Sequence, residues 1–410
     1  MRHRSAAWLC VVCLALGASA ASPEAAPPVP ELQPAAVDSL ANAWIRVAVV
    51  RNAPQVDLAI HGRFRITALH TADALQEGSQ LPHVTVRANQ QGILMGEQAF
   101  PMVGVRVEPT RDASIDLNGH RLRGVLEIVR QADLTLLVIN HVDLEDYLQG
   151  VLSKEAPDYW PREALKTLAI AARTYALYQR LAKPQVDYDV TSDVLSQVYG
   201  GRSSEKWRTN HAVSSTRGLI LTYNGQIFPS FYHSTCGGLT EHASVMGPYD
   251  LPPLRGGIAC SFCLNSPFYR WEKRFTKADV AWALKQRGYG SVGGVIDVAA
   301  TQRSPTGRVA EVSIRGVTRT ITLKGYDFRA LFGFDQLRSL AFTVEPQGDA
   351  FVLHGGGWGH GVGMCQWGMA ELARRGLSAR EILSFYYPGT ELARVGESVI
   401  QPIVVPGGQP

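Results

Sequence analysis

Glu155 closes a run in which Leu144, Leu148 and Leu152 recur at helical spacing. That spacing places its carboxyl on the apolar stripe of a helix, at the helix end. Burial disfavours the charged form of a carboxyl and raises its pKa. A carboxylic acid still protonated near neutrality can give its proton to a leaving oxygen. The bland reading is an ion pair at the stripe edge with Lys154, Arg162 or Arg173, and periodicity alone favours it. Arg173 is equally open: it either orients Glu155 or a ligand substituent, or lies over the surface of its own helix.

His233-Ser234-Thr235-Cys236 and Cys260-Ser261-Phe262-Cys263 form a second chemical cluster. One histidine and three thiols in two short groups fit a closed, structural zinc site of the Cys3His type, with His233, Cys236, Cys260 and Cys263 as ligands. His242 is a substitute for His233. Three sulfur ligands make an unusual base for catalysis, so the expected metal is a pin for a loop. The competing reading is a disulfide, Cys260–Cys263 or Cys236–Cys260, which an oxidising compartment would favour. A third segment, Gly355-Gly356-Gly357-Trp358-Gly359-His360-Gly361-Val362-Gly363-Met364, lacks the Gly-Lys-Ser/Thr end of a phosphate loop. Its glycines imply tight turns or a close approach to a ligand. Trp358, Trp367 and His360 either face that ligand or pack in a turn before the last helices.

The elements that must hold these groups are readable in outline. Asp143 is a good N-cap, and Pro157 ends the helix that carries Glu155. A second helix starts near Pro161 and runs to about Leu181, with Leu165, Leu168, Ala169, Ala172 and Ala176 as its stripe. Gly218 to Phe228 reads as a hairpin turning at Asn224-Gly225. Shorter helices are expected at Thr276–Gln286, Gln366–Arg374 and Ala379–Phe385, with strands between them through residue 353. Before Asp143, alternating runs such as Ile45–Val50, His83–Arg87 and Leu134–Ile139 predict strands. The expected fold class is therefore α+β, with a β-rich N-terminal region followed by a mixed α+β domain with few helices. The boundaries fall at 37–130 for the β-rich region, 131–395 for the mixed domain and 396–410 for a tail.

Ahead of these lie two segments outside any core. Residues 1–20 carry Arg2 and Arg4, an apolar stretch and Ala18-Ser19-Ala20, which reads as an export signal. Residues 21–36 are rich in Ala and Pro and read as a stiff linker. The protein is expected outside the cytoplasm, in a periplasm or cell-wall compartment. The whole chain is ordinary for a globular protein, at 46% hydrophobic and 19% charged. Without the signal its formal charge drops from +4 to about +2, which gives no electrostatic case for nucleic acid. Of six cysteines, Cys236, Cys260, Cys263 and Cys365 remain.

Taken together, the blocks resemble the stage II sporulation protein D family, which includes the LytB-type amidase enhancers. The resemblance rests on Leu148-Gln149-Gly150-Val151-Leu152-Ser153-Lys154-Glu155-Ala156-Pro157, then Trp160-Pro161 with Glu163-Ala164-Leu165-Lys166, then Ala171-Ala172-Arg173-Thr174-Tyr175-Ala176. Ser196-Gln197-Val198-Tyr199-Gly200-Gly201, Tyr232–Gly238, Gly357–Met364 with Gln366-Trp367-Gly368, and Tyr386–Thr390 follow in family order. No single block is specific, but the ordered set over about residues 142–391 is. The region before residue 130 lies outside it. Cys365 stands where the family often has serine, either as a plain replacement or as a fourth sulfur near the cluster.

The resemblance implies a peptidoglycan lytic transglycosylase that cuts between N-acetylmuramic acid and N-acetylglucosamine. Its implied substrate is glycan whose stem peptides a cell-wall amidase has already removed. Glu155 takes the place of the family's catalytic glutamate, acting alone as acid and then as base. Arg173, Gln197, Tyr199, His360 and Gln366 become the expected substrate-binding residues. Asp193 and Glu241 are the nearest sequence candidates for a second carboxylate, which such chemistry does not require. Two other classes compete. One is a non-enzymatic glycan-binding module that enhances an amidase; the other is a zinc hydrolase acting through the Cys/His cluster.

Overall fold

Alternation governs the strands that open the described chain: in Trp44–Ala53, Ile45 and Val47 are fully buried while Trp44 and Arg46 point outward. The computed structural model describes residues 43–182, 186–396 and 401–403. The expected export signal and linker lie outside the described residues, as does most of the tail. The expected fold class is observed: a β-rich first half, then helices mixed with strands. Among the described residues the largest sheet has seven strands. Its centre pairs Leu136–Asp143 with Trp44–Ala53 on one side and Val125–Arg130 on the other, both antiparallel. A six-stranded sheet built on Gln55–His61 and Leu81–Ala88 shares the same core. The boundary expected at residue 130 therefore falls inside a sheet. Composition shifts where helices begin, but hydrogen-bond pairing runs straight across that point.

The strand Leu136–Asp143 delivers the chain directly into α1, Leu144–Glu155. Asp143 caps it, its side chain accepting from the Glu145 and Asp146 N–H groups. Ala156 is extended, and Pro157 cannot continue a helix. α2, Arg162–Ala182, packs on α1, and its stripe of Ala169, Ala172 and Ala176 is fully buried. α3, Trp207–Ser215, was not expected from the sequence. Its residues offer only a weak stripe, with Thr209, Ala212 and Val213 buried. The hairpin is where it was expected, Leu219–Tyr223 and Gln226–Ile227, with Asn224 and Gly225 at φ 51° and 74°. Both central residues at positive φ is the turn that matches strand twist.

A second hydrophobic core gathers residues 271–353 into a lobe of its own. It holds α4, Lys277–Gln286, which Thr276 and Asp279 start with a reciprocal capping box. It also holds α5, Gly325–Phe332, in a stretch expected to be strand throughout. The chain then returns to the first core with α6, Gln366–Arg374, and α7, Ala379–Tyr386. The lobe is fastened to the body by buried polar contacts. Glu241 accepts from Ser304 Oγ and Thr306 Oγ1, each at 2.5 Å, and Arg308 Nη2 donates to the Cys236 carbonyl at 2.7 Å.

Within the first core, Arg173 has no exposed surface. Its Nε and Nη2 donate to Glu145 Oε1 and Oε2 at 2.9 and 2.8 Å, and Nη1 reaches the Leu219 carbonyl at 3.0 Å. The pair ties α1, α2 and the hairpin strand together. Removing one partner strands the other charge in the interior. Arg173→Met is expected to cost about 3–5 kcal/mol, read from urea unfolding followed by circular dichroism. A loss below about 1 kcal/mol, the range of an exposed pair, would remove the ion pair from this role.

Candidate active site

Glu155 is the last residue of α1, so the helix sets its position and the buried Leu148, Val151 and Leu152 fix the helix face. Its side chain is half-buried on the wall of a cleft of about 990 Å³. Oε1 accepts from the Val198 N–H at 2.9 Å. Oε2 faces Gln366 Nε2 at 3.3 Å, and the same amide nitrogen donates to the Glu155 carbonyl at 3.2 Å. Burial raises the carboxyl above its ordinary pKa, while the Val198 and Gln366 hydrogen bonds favour the charged form and pull against it. Among the described residues no lysine or arginine pairs with it. The group is thus a carboxyl under opposed influences and not the ion pair that periodicity favours.

The other expected site residues separate into two layers. Gln366 and His360 line the cleft with Glu155. His360 Nδ1 accepts from the Val362 N–H at 3.0 Å, and burial pushes the imidazole down to about 3, so it is neutral at ordinary pH. Trp358 also faces the cleft, whereas Trp367 packs edge-on against Trp160 in the core. Gln197, Tyr199 and Arg173 lie behind the wall. Gln197 accepts from Tyr147 Oη at 2.9 Å and donates to Tyr232 Oη at 2.8 Å. It therefore cannot meet a ligand, but it orients Tyr232, which can. Tyr199 Oη donates to Asn140 Oδ1 at 3.0 Å and its ring packs on Tyr147. Arg173 is spent on Glu145. These three are corrections to the substrate-binding set: motif membership marks them, but burial gives them to the scaffold.

The sequence candidates for a second carboxylate also fall away from the cleft. Asp193 pairs with Arg51 at 2.6 Å, and Glu241 is sealed into the lobe contact. Asp187 and Asp335 do line the cleft, and both are exposed. The lobe contributes Tyr326 and Arg329 from α5 as well. Their spacing of three residues on one short helix was the available signal; the unrecognised helix hid it.

The cysteine cluster differs from the expected set in one ligand. Cys236, Cys260, Cys263 and Cys365 are buried with their Sγ atoms all within 4.8 Å of one another. His233 is not among them; its Nδ1 lies 3.0 Å from the Val362 carbonyl oxygen. His242 caps the turn at Ser244. The reason is a short parallel pairing of Tyr232–His233 with Met364–Cys365, which brings a distant thiol beside the loop. Backbone N–H groups of Cys236, Gly238 and Gly368 point at sulfur at 3.3–3.4 Å. Four convergent sulfurs supported by such donors are compatible with a metal site.

Comparison with known proteins fits this division. A family described as "Stage II sporulation protein" matches residues 132–223, the segment holding α1, α2 and the first hairpin strand. A domain of unknown function matches residues 263–363, the region of the second core. Stage II sporulation protein D of Bacillus subtilis (strain 168) is 33% identical over 272 residues, covering 62% of this chain and 76% of that protein. An uncharacterised protein of Brachyspira hyodysenteriae is also 33% identical, over 316 residues, covering 75% of this chain and 82% of its own.

The chain belongs to the stage II sporulation protein D family.

The "Amidase enhancer" of Bacillus subtilis is 28% identical over 289 residues, 60% of this chain and 40% of that longer protein. Among the described residues of the stage II sporulation protein D family match, Glu155 is the one carboxyl that is at once in the cleft, free of a cation and raised in pKa. A raised carboxyl pKa means that ionised Glu155 burdens the folded state. That burden is absent below the ordinary carboxyl pKa and complete above the raised one. Glu155→Gln is therefore expected to be more stable than the parent at neutral pH, with the difference shrinking on acidification. Melting temperatures of both proteins across pH 4 to 8, a window that brackets the ordinary glutamate value of about 4.3, test this. A variant that loses more stability at neutral than at acid pH would contradict it.

Proposed function

We propose that the protein is a peptidoglycan lytic transglycosylase acting on glycan strands freed of stem peptides. The observation that carries this reading is Glu155: a cleft carboxyl whose pKa burial raises, without a cation beside it and held by one amide and one N–H. Glu155 gives its proton to the glycosidic oxygen between muramic acid and glucosamine, and that bond breaks. An oxocarbenium-like centre forms at C1 of the muramic sugar. The carboxylate, stabilised at once by Val198 and Gln366, then accepts the proton of the same sugar's C6 hydroxyl. The C6 oxygen closes on C1 to give a 1,6-anhydro ring, so no water is consumed and one group serves both steps. Trp358, Tyr232 and His360 face the sugars from the cleft wall, and the lobe's Tyr326 faces them from α5.

The four-cysteine cluster holds zinc in this reading, with Cys365 as the fourth ligand. All-sulfur coordination suits zinc and leaves no position for substrate or water. The ion would fasten the Cys236–Cys263 loop to the segment entering α6 and take no part in proton transfer. An amidase that exposes the substrate is the implied partner, consistent with the name of one relative. The proposal sets this work outside the cytoplasm, a reading supported by leading residues that resemble an export signal.

Glu155→Gln is expected to fold and to lose at least about a hundredfold in the release of peptide-free saccharides with 1,6-anhydro-muramic ends, the scale of a removed general acid. Mass spectrometry of the products reads this directly. Full activity in the variant would sink the proposal. Binding without cleavage by the parent protein would hand the site to the amidase-enhancing module. For the metal, elemental analysis of protein purified without chelator should give one zinc per chain, and Cys365→Ser should lower that occupancy. Absence of zinc together with loss of free thiols would return the cluster to disulfides.

A further inference from the structure

Three basic side chains line the cleft beside Glu155, and two of them are already committed. Arg51 Nη2 lies 2.6 Å from Asp193 Oδ2. The Arg329 guanidinium donates to the carbonyls of Leu337, Arg338 and Phe334 at 2.6, 2.7 and 3.3 Å. Lys154 has no such partner: among the described residues no acceptor lies within hydrogen-bond or ion-pair distance of its ammonium. Its charge is not spent on Glu155 either, whose protonation is governed by burial, Val198 and Gln366. A lysine in the last turn of a helix is favourable to the helix dipole, but that effect does not require a seated side chain. Lys154 is exposed, and its stem passes over the backbone of Gly200. A Cβ placed on Gly200 would stand 2.7 Å from Lys154 Cε, so the bare backbone at Gly200 gives the stem its path along the cleft.

We propose that Lys154 binds the carboxylate that stem-peptide removal leaves on the lactyl group of the muramic sugar, and that it thereby selects peptide-free strands. The inference rests on the substrate reading given above. When an amidase hydrolyses the bond between the lactyl group and the first amino acid, a neutral amide becomes a carboxylate. That carboxylate hangs from C3, two carbons along the ring from the C1 bond on which Glu155 acts. A cation adjacent to Glu155 in sequence, yet not in contact with its carboxyl, suits that separation. With a peptide attached, the same position carries no charge and the peptide must occupy the lysine's space. An ammonium is a compact point charge with rotatable donors, able to make a charge-assisted hydrogen bond without imposing a bidentate geometry.

The test uses fluorescent peptide-free strands in two forms, with the lactyl carboxylate free or converted to the carboxamide. Binding is measured in the Glu155→Gln background, so cleavage does not enter. The free-carboxylate form should bind about tenfold tighter, the scale of a hydrogen bond to a charged group, and the preference should weaken with added salt. Adding Lys154→Met should bring the ratio of the two affinities near one, and Lys154→Arg should restore part of it. An unchanged ratio in Lys154→Met, or no binding of either strand, overturns the proposal. Failure of the parent protein to cleave, with the carboxylate preference intact, would instead defeat the transglycosylase reading and leave the lysine's role standing.

Discussion

Glu145 and Arg173 are the interaction on which the site's geometry depends. A guanidinium with no access to water is tolerable only if its donors are met, and here a bidentate carboxylate and backbone carbonyls meet them. Glu145 stands in the first turn of α1 and Glu155 is its last residue. The helix between them is a rod of about 15 Å. Fixing one end against α2 and the hairpin strand therefore fixes the other against the cleft. The Gly218 N–H, 3.2 Å from Glu145 Oε1, extends the same tie to the loop entering the hairpin. A family block that carries both an acid and an arginine reads like a catalytic pair, yet the arginine works through the scaffold.

The carboxyl at the far end lives under two opposed demands. An acid must hold its proton, which burial supplies. A base must be tolerated as an anion, which the Val198 N–H and Gln366 supply. Either influence alone would lock the group into one state. Gln366 is the N-terminal residue of α6 and Val198 belongs to the loop after α2, so three separate parts of the chain converge on one functional group. The cleft itself is closed by a fourth, the lobe that brings Tyr326 and Arg329.

The sequence carried the parts of this arrangement that depend on local rules. Asp143 and Pro157 bounded α1, Asn224-Gly225 dictated the hairpin, and the helix expected at Thr276–Gln286 is α4. Long-range burial was not legible. Nothing local distinguishes Gln366, which touches Glu155, from Gln197, which is sealed behind Tyr232. Tyr199 sat in a motif block yet turned to Asn140 in the sheet. The cysteine cluster shows the same limit: spacing selected His233 because it lies near Cys236. The thiol that joins them sits after the lobe and arrives by a two-residue strand pairing that no periodicity announces. Helices α3 and α5 were hidden for a related reason, since both are short and take their stability from packing more than from pattern.

That cluster also orders events in time. Cys236, Cys260 and Cys263 precede the lobe, and Cys365 follows it. The fourth sulfur therefore leaves the ribosome only after the whole lobe has been made. Until then three thiols wait beside an unfinished loop, and the segment that will present Gln366 to Glu155 does not yet exist. Closure of the cluster and completion of the acid's surroundings are thus one late step, with Cys365 and Gln366 adjacent in the chain. A protein truncated anywhere within the lobe can neither close the cluster nor assemble the site, so the fold carries its own check that synthesis has passed the lobe.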